Sequence, residues 1–329
     1  MGTVAGTTRK RRSGHYSRAA YHAGSWYSDS RNELDRQLSS FLAVANDEAP
    51  PSDGQPLRGI ICPHAGYNYS GPTAAFSYHH LTNELLKEES PITQILILHP
   101  SHHIYLDGCA VSGATQLETP LGNLQVDDDL RDEILQLASP RSSFDVMEQG
   151  VDEREHSGEM QYPYIAKALA TANKLDVIKV LPIMCGGLSS SKEEDYGKLL
   201  APILGRSNVL CVVSTDFCHW GSRFQYQPTP ASTTSMEIYQ HIRQLDQEGM
   251  KHIEMEKPGA FADYLKQTRN TICGRHAIGV WLNAVHTNNP SVEVLDIKFV
   301  KYAQSSEVRS IRESSVSYAS ATARQKTNK

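Results

Sequence analysis

Four aliphatic residues stand in a row at Ile95–Leu98, and His99, Pro100, Ser101, His102 and His103 follow them. A continuous apolar run of this length suits a strand buried on both faces. Proline ends it, because it has no N–H to give to a sheet ladder. Comparable runs in LRGIIC (57–62), LDVIKVLPIM (175–184), NVLCVVS (208–214) and VEVLDIKFVKYA (292–303) predict further strands. Between them the apolar period lengthens to that of a helix. RNELDRQLSSFLAVA (31–45) sets Leu34, Leu38, Phe41 and Leu42 on one face, and GPTAAFSYHHLTNELL (71–86) opens on Gly71-Pro72, a pair suited to a first turn. DDDLRDEILQLA (127–138) places three acidic residues at the positive end of a helix. Helices are also expected in KEEDYGKLLAPIL (192–204), MEIYQHIRQLDQEGMKHI (236–253) and RHAIGVWLNAVH (275–286).

This alternation predicts a single α/β domain with a mostly parallel central sheet flanked by helices. GCAVSGATQLETPLGNLQVD (108–127) reads as an antiparallel excursion, which makes the sheet mixed. APPSDGQP (49–56) reads as a surface loop. The domain is expected over residues 16–320, after a Gly/Thr-rich leader (1–15) carrying RKRR and before a polar tail, ATARQKTNK (321–329). The leader reads as a solvated disordered tail, with a nuclear address as its alternative. A myristoylation motif is not met, since Gly6 stands where Ser or Thr is needed.

Composition narrows the classes. The 329 residues are 39% hydrophobic and 21% charged with a net charge of −5, so the core is ample and there is no basic footprint for nucleic acid. No apolar run approaches the ~20 residues of a membrane span. Six cysteines (Cys62, Cys109, Cys185, Cys211, Cys218, Cys273) form no CxxC pair, which reads as reduced thiols in a cytoplasmic protein.

The candidate chemistry collects at strand ends. GIICPHAGY delivers His64, ILILHPSHH delivers His102 and His103, and VLCVVSTDFCHW delivers Asp216, Cys218 and His219. Ligands of open α/β sheets bind outside the carboxyl ends of the strands, and neutral imidazole offers a metal-binding lone pair near pH 7. Cys273 precedes a helix N-terminus, where the thiolate is favoured. DEREHSGEM adds Asp152, Glu153, Glu155, His156 and Glu159; most of this charge is expected to face water, with Glu155-His156 reaching a cleft. His22 in AYHAGSWY reads as packing or pocket wall. No GxSxG elbow or HExxH pair supports a hydrolase.

Taken in order, HAGSWY, PHAGY, PSHH, EHSGEM, STDFCHWG, TICGRH and the YAQSS and SSVSYA stretches resemble the Memo family, from about Tyr21 to Ala319. The likeness is to the animal Memo proteins more than to microbial relatives. It implies a fold similar to the LigB-type extradiol dioxygenases and a role linked to receptor tyrosine kinase signalling, the cytoskeleton and cell motility. The resemblance also implies His64, His102 and Cys273 as metal ligands, with Asp216 and His219 beside the metal and His219 in the place of a general base. A thiolate where dioxygenases have a carboxylate softens the site, favouring copper over Fe(II) and then Zn(II), so ring opening is not expected. Two functions stay open: a copper-dependent oxidoreductase, or a non-enzymatic adaptor whose inherited dioxygenase-like cleft binds phosphotyrosine segments or their adaptors and cytoskeletal regulators, with Arg223 and Arg275 as phosphate contacts. Two residues depart from the family pattern. His99 replaces a glycine and is expected to crowd the site or add a ligand; Gly158 replaces a bulkier aliphatic and is expected to loosen the pocket wall.

Overall fold

The computed structural model describes residues 16–52, 54–230, 235–286 and 295–326. The leader lies outside them, and with it RKRR. In chain order the strands are β1 (Tyr16–Arg18), β2 (Leu57–Cys62), β3 (Gln94–Pro100), β4 (Cys109–Val111), β5 (Ala114–Leu117), β6 (Leu124–Gln125), β7 (Phe144–Val146), β8 (Lys179–Cys185), β9 (Val209–Ser214), β10 (His219–Trp220), β11 (Leu295–Gln304) and β12 (Ser315–Gln325). Nine of them form one mixed sheet in the order β10-β12-β2-β9-β3-β8-β4-β7, with β11 paired to β12. Strands β1, β5 and β6 make a separate small sheet.

Four of the five apolar runs form the parallel centre, β2-β9-β3-β8, and the fifth supplies the antiparallel β11. Every residue of β2 and β9 is buried, as expected for strands covered by helices on both faces. Within the nine-stranded sheet, parallel strand pairing is nevertheless confined to this centre and to β4-β7; β4-β8, β12-β2, β11-β12 and β10-β12 are antiparallel. One helix group joins Arg31–Glu48, Tyr67–Leu86 and Tyr162–Thr171, and another joins Ser190–Leu204, Pro258–Thr268 and Arg275–Val285. No helix among the described residues is long and apolar enough to cross a membrane.

Two expectations are corrected. The helix expected from Gly71-Pro72 begins earlier, at Tyr67, and holds Pro72 in its interior. The lost hydrogen bond falls on the carbonyl of Asn68, an exposed residue, where water can replace it. Residues 321–325 of the expected polar tail are instead the end of β12, and 327–329 lie outside the described residues. Ala321, Thr322 and Ala323 pair with Ile61, Ile60 and Gly59, and all three are buried. Their burial comes from close approach. Ser320 Oγ donates to the carbonyl of Thr73 at 2.6 Å and Ser77 Oγ to that of Ala321 at 3.1 Å, so the helix Tyr67–Leu86 lies directly on small side chains.

Candidate metal centre

Strands β2, β9 and β3 are parallel neighbours, so their carboxyl ends share one edge. Cys62 pairs with Ser214, and the ladder runs one step further where Thr215 N–H donates to the carbonyl of Cys62. One residue on, the chains part. His64 N–H then donates to the carboxylate of Asp216 at 2.8 Å. His102 lies two residues past the end of β3, the same offset as His64 from β2 and Asp216 from β9.

Cys273 arrives from the loop before the helix Arg275–Val285. Gly274 allows this approach: a Cβ there would fall 2.5 Å from the carbonyl oxygen of Ser214, whereas the glycine N–H donates to Thr215 Oγ1 at 3.0 Å. The backbone N–H of Asp216 donates to Cys273 Sγ at 3.2 Å. Cys273 Sγ lies 3.1 Å from His64 Nε2, and one donor atom each from His64, His102 and Cys273 fall within 4.8 Å of one another. These are the three residues that the resemblance implied as ligands.

Both imidazoles are held through Nδ1. That of His64 contacts Ser214 Oγ at 2.8 Å, and that of His102 contacts the carboxylate of Glu155 at 2.8 Å. Glu155 also accepts from the backbone N–H groups of His102 and Ser157. Burial, reinforced by His102 and His156, keeps the His64 imidazole neutral, well below the usual histidine range. For His102 burial acts in the same direction, but hydrogen bonding to Cys273 and Glu155 outweighs it and lifts the pKa to about 10 in the metal-free protein. Glu155 is held well below the carboxylate range, because His102 and the neighbouring histidines overcome its burial. His156 is stacked between Trp26 and His102, with ring centres at 4.3 and 4.5 Å, and burial pushes its pKa down to about 3. It is a neutral wall beside the centre. His102, Glu155 and His156 also offer donor atoms within 4.8 Å of one another, so the second histidine faces two clusters.

His219, half-buried in β10, is near enough for its charge to act on His64 and Asp216. Asp216 does not hydrogen-bond the His219 ring. His219 Nδ1 faces the carbonyls of Phe217 (2.9 Å) and Thr271 (3.1 Å), which are acceptors only, so Nδ1 carries the proton and Nε2 is the free base. Asp216 instead ties down the His64 backbone.

The acidic segment also departs from expectation. Asp152 and Glu159 are buried, not solvated, because Arg18 reaches both, at 3.0 and 2.7 Å, from a strand more than 130 residues away. A buried ion pair needs this full set of partners. Glu159 also accepts from His22 Nδ1 and Tyr27 Oη, which makes His22 part of the wall behind His156. Glu155-His156 does reach the cleft, as expected.

His99 and Gly158 exchange space. The His99 ring is 1% exposed, and its Nδ1 lies 3.1 Å from Ser157 Oγ. A Cβ on Gly158 would sit 3.1 Å from His99 Cδ2 and Nε2. The histidine therefore fills the space that a side chain at position 158 would need. It belongs to neither donor cluster found among the described residues. Arg223 is exposed and stacks on Phe224 at 4.5 Å; Arg275 is exposed and lines a cleft with Lys266 and Arg269. Sequence reasoning missed Ser157, Gln161 and Ser214, ordinary polar residues whose only signal was a place beside the motifs.

The family model described as Memo-like protein matches residues 18–322. Protein MEMO1 of Homo sapiens is 42% identical over 302 residues, covering 92% of this chain and 95% of that protein. The chain belongs to the Memo family. Protein memo-1 homolog of Caenorhabditis elegans, another member by likeness, is 40% identical over 308 residues, covering 93% of this chain and 82% of its own length. A solved uncharacterized protein of Escherichia coli K12 overlays with a TM-score of 0.46 at 14% identity, covering 79% of this chain and 98% of that one, a likeness too distant to bear on the Memo site.

Proposed function

We propose that this Memo protein binds one redox-active metal ion through His64, His102 and Cys273, with copper the ion it is built for. The observation that carries the reading is the convergence of two imidazoles, each held through Nδ1, with a thiol that three separate segments deliver within 4.8 Å. The donor set fits: imidazole suits copper, iron and zinc, and a thiolate selects for softness, which ranks Cu(I) first, Fe(II) second and Zn(II) third. Bound copper supplies one-electron exchange between Cu(I) and Cu(II).

The chain's own groups define the surroundings. His64 stays neutral through burial, and Glu155 holds the His102 ring with Nε2 turned away from it. Asp216 fixes the His64 backbone, a positioning role. His219, protonated on Nδ1, takes up or gives a proton at Nε2. His156 and Trp26 form a neutral aromatic wall that limits water on one side.

In the cell this activity serves signalling from receptor tyrosine kinases to the cytoskeleton and cell motility, in the cytoplasm. A second reading has its own observation. Arg275 shares a cleft with Lys266 and Arg269, while the acid there, Glu193, is taken by His276 at 2.7 Å. An adaptor would seat phosphotyrosine in that cleft by bidentate hydrogen bonds.

Metal analysis of protein purified without oxygen, followed by oxygen-consumption assays, tests the choice. Copper retained at one ion per chain with metal-dependent oxygen uptake supports the oxidoreductase. Phosphopeptide binding that persists in a ligand variant, with no oxygen uptake in either protein, supports the adaptor.

A further inference from the structure

Gln161 is fully buried, although its side chain has four hydrogen-bonding positions to satisfy. Its amide has one settled orientation. Nε2 lies 3.1 Å from the carbonyl of Pro63, which only accepts, and Oε1 lies 2.8 Å from the hydroxyl of Tyr78. The other N–H of Nε2 points at Ser214 Oγ, 2.9 Å away. Ser214 has a single proton, and gives it to the carbonyl of Ser157 at 2.7 Å. Its oxygen therefore accepts twice, from Gln161 and from His64 Nδ1 at 2.8 Å. The proton of His64 must then sit on Nδ1. The lone pair is left on Nε2, the atom 3.1 Å from Cys273 Sγ.

We propose that Gln161 is a positioning residue that acts through Ser214 to hold His64 in the tautomer protonated on Nδ1, with Nε2 turned to the metal position. Free neutral histidine prefers its proton on Nε2, the atom this site needs bare, so the relay works against the intrinsic bias. Gln161 also secures the carbonyl immediately before His64, and thus controls the ring and the backbone together. Partners of this kind that orient a ligating histidine commonly matter 10–100-fold in metal affinity. The inference rests on the metal-centre reading for its purpose, but the tautomer itself does not depend on any ion.

The test is the tautomer of His64 in metal-free protein labelled with 15N-histidine, read from the multiple-bond proton–nitrogen correlation pattern and assigned with His64→Gln. The wild type is expected to carry the proton on Nδ1. In Gln161→Met, of similar volume but without donors, Ser214 Oγ loses the N–H that pins its lone pair, and the hydroxyl can turn from the Ser157 carbonyl to donate to Nδ1. A population protonated on Nε2 then appears, and Cu(I) affinity falls about 10–100-fold. Should that variant fail to fold, Ser214→Ala reads the same link by removing the acceptor, with the same shift expected. Wild-type His64 protonated on Nε2, or a tautomer unchanged in the folded variants, overturns the inference. A wild type with the proton on Nδ1 that binds no copper supports the relay and removes the metal reading instead.

Discussion

His99 and Gly158 should behave as one unit. Gly158 has no positive φ, so its backbone accepts a side chain, and only space forbids one. A Cβ there meets Tyr162 Oη at 2.9 Å and His99 Cδ2 and Nε2 at 3.1 Å, and Tyr162 is itself buried. Gly158→Leu alone overpacks this point and should cost about 1–3 kcal/mol. His99→Gly alone empties a buried imidazole volume, a class of change that costs about 2–5 kcal/mol. Losing His99 Nε2, a buried atom without a protein partner, offsets part of that cost. The double variant His99→Gly/Gly158→Leu refills the void and relieves the clash, so it should be more stable than the sum of the two. A favourable coupling of about 0.5–3 kcal/mol is expected. Urea denaturation of the four proteins, with metal removed by chelator, measures it. Strict additivity would refute the exchange, and a large loss of metal affinity in His99→Gly would return His99 to the site.

Three further outcomes follow from particular contacts. His219→Ala should leave metal stoichiometry unchanged and slow any metal-dependent redox rate by about 10²–10⁴-fold, the range for a lost acid–base group; loss of bound metal would make His219 a ligand. In metal-free protein His102 has a folded pKa of about 10 against an ordinary 6.5. Its protonated pairing with Glu155 therefore stabilises fully below about pH 6.5 and is lost as pH rises to about 10. Melting temperatures of wild type and Glu155→Gln should converge across that window, and parallel curves would contradict the pairing. Removing residues 321–329 should abolish soluble folded protein, because it strips from β2 the partners of Gly59, Ile60 and Ile61; a folded, monomeric truncation would contradict the place of β12 in the sheet.

The central strands were legible because strands covered on both faces carry unbroken apolar runs, as in Ile95–Leu98. Strand β12 was not legible at its end. The buried run Ser320, Ala321, Thr322 and Ala323 is made of small residues, selected by the close approach of a helix and not by hydrophobicity, so it reads as a polar tail. Asp152 and Glu159 read as solvated for a related reason: their partner, Arg18, is distant in sequence and lies in a short strand with no apolar pattern. The strand-end histidines were legible as a pattern, and parallel neighbours do bring His64 and His102 to one edge. Cys273 was legible as a thiol ahead of a helix N-terminus, but its place beside His64 and His102 needed the family resemblance, since a loop thiol carries no periodic signal. The pairing of Asp216 with the His64 backbone could not be read at all, because it depends on where two ladders part.

The most direct measurement is Cu(I) affinity by competition against a chelator, in wild type and Cys273→Ser, beside thermal melts of the metal-free proteins. Serine nearly matches cysteine in volume but is a hard, poor ligand for a soft ion. The metal-centre account predicts one Cu(I) per wild-type chain, a large loss of affinity in the variant, and nearly equal melts. Equal Cu(I) affinity in the two proteins would contradict it.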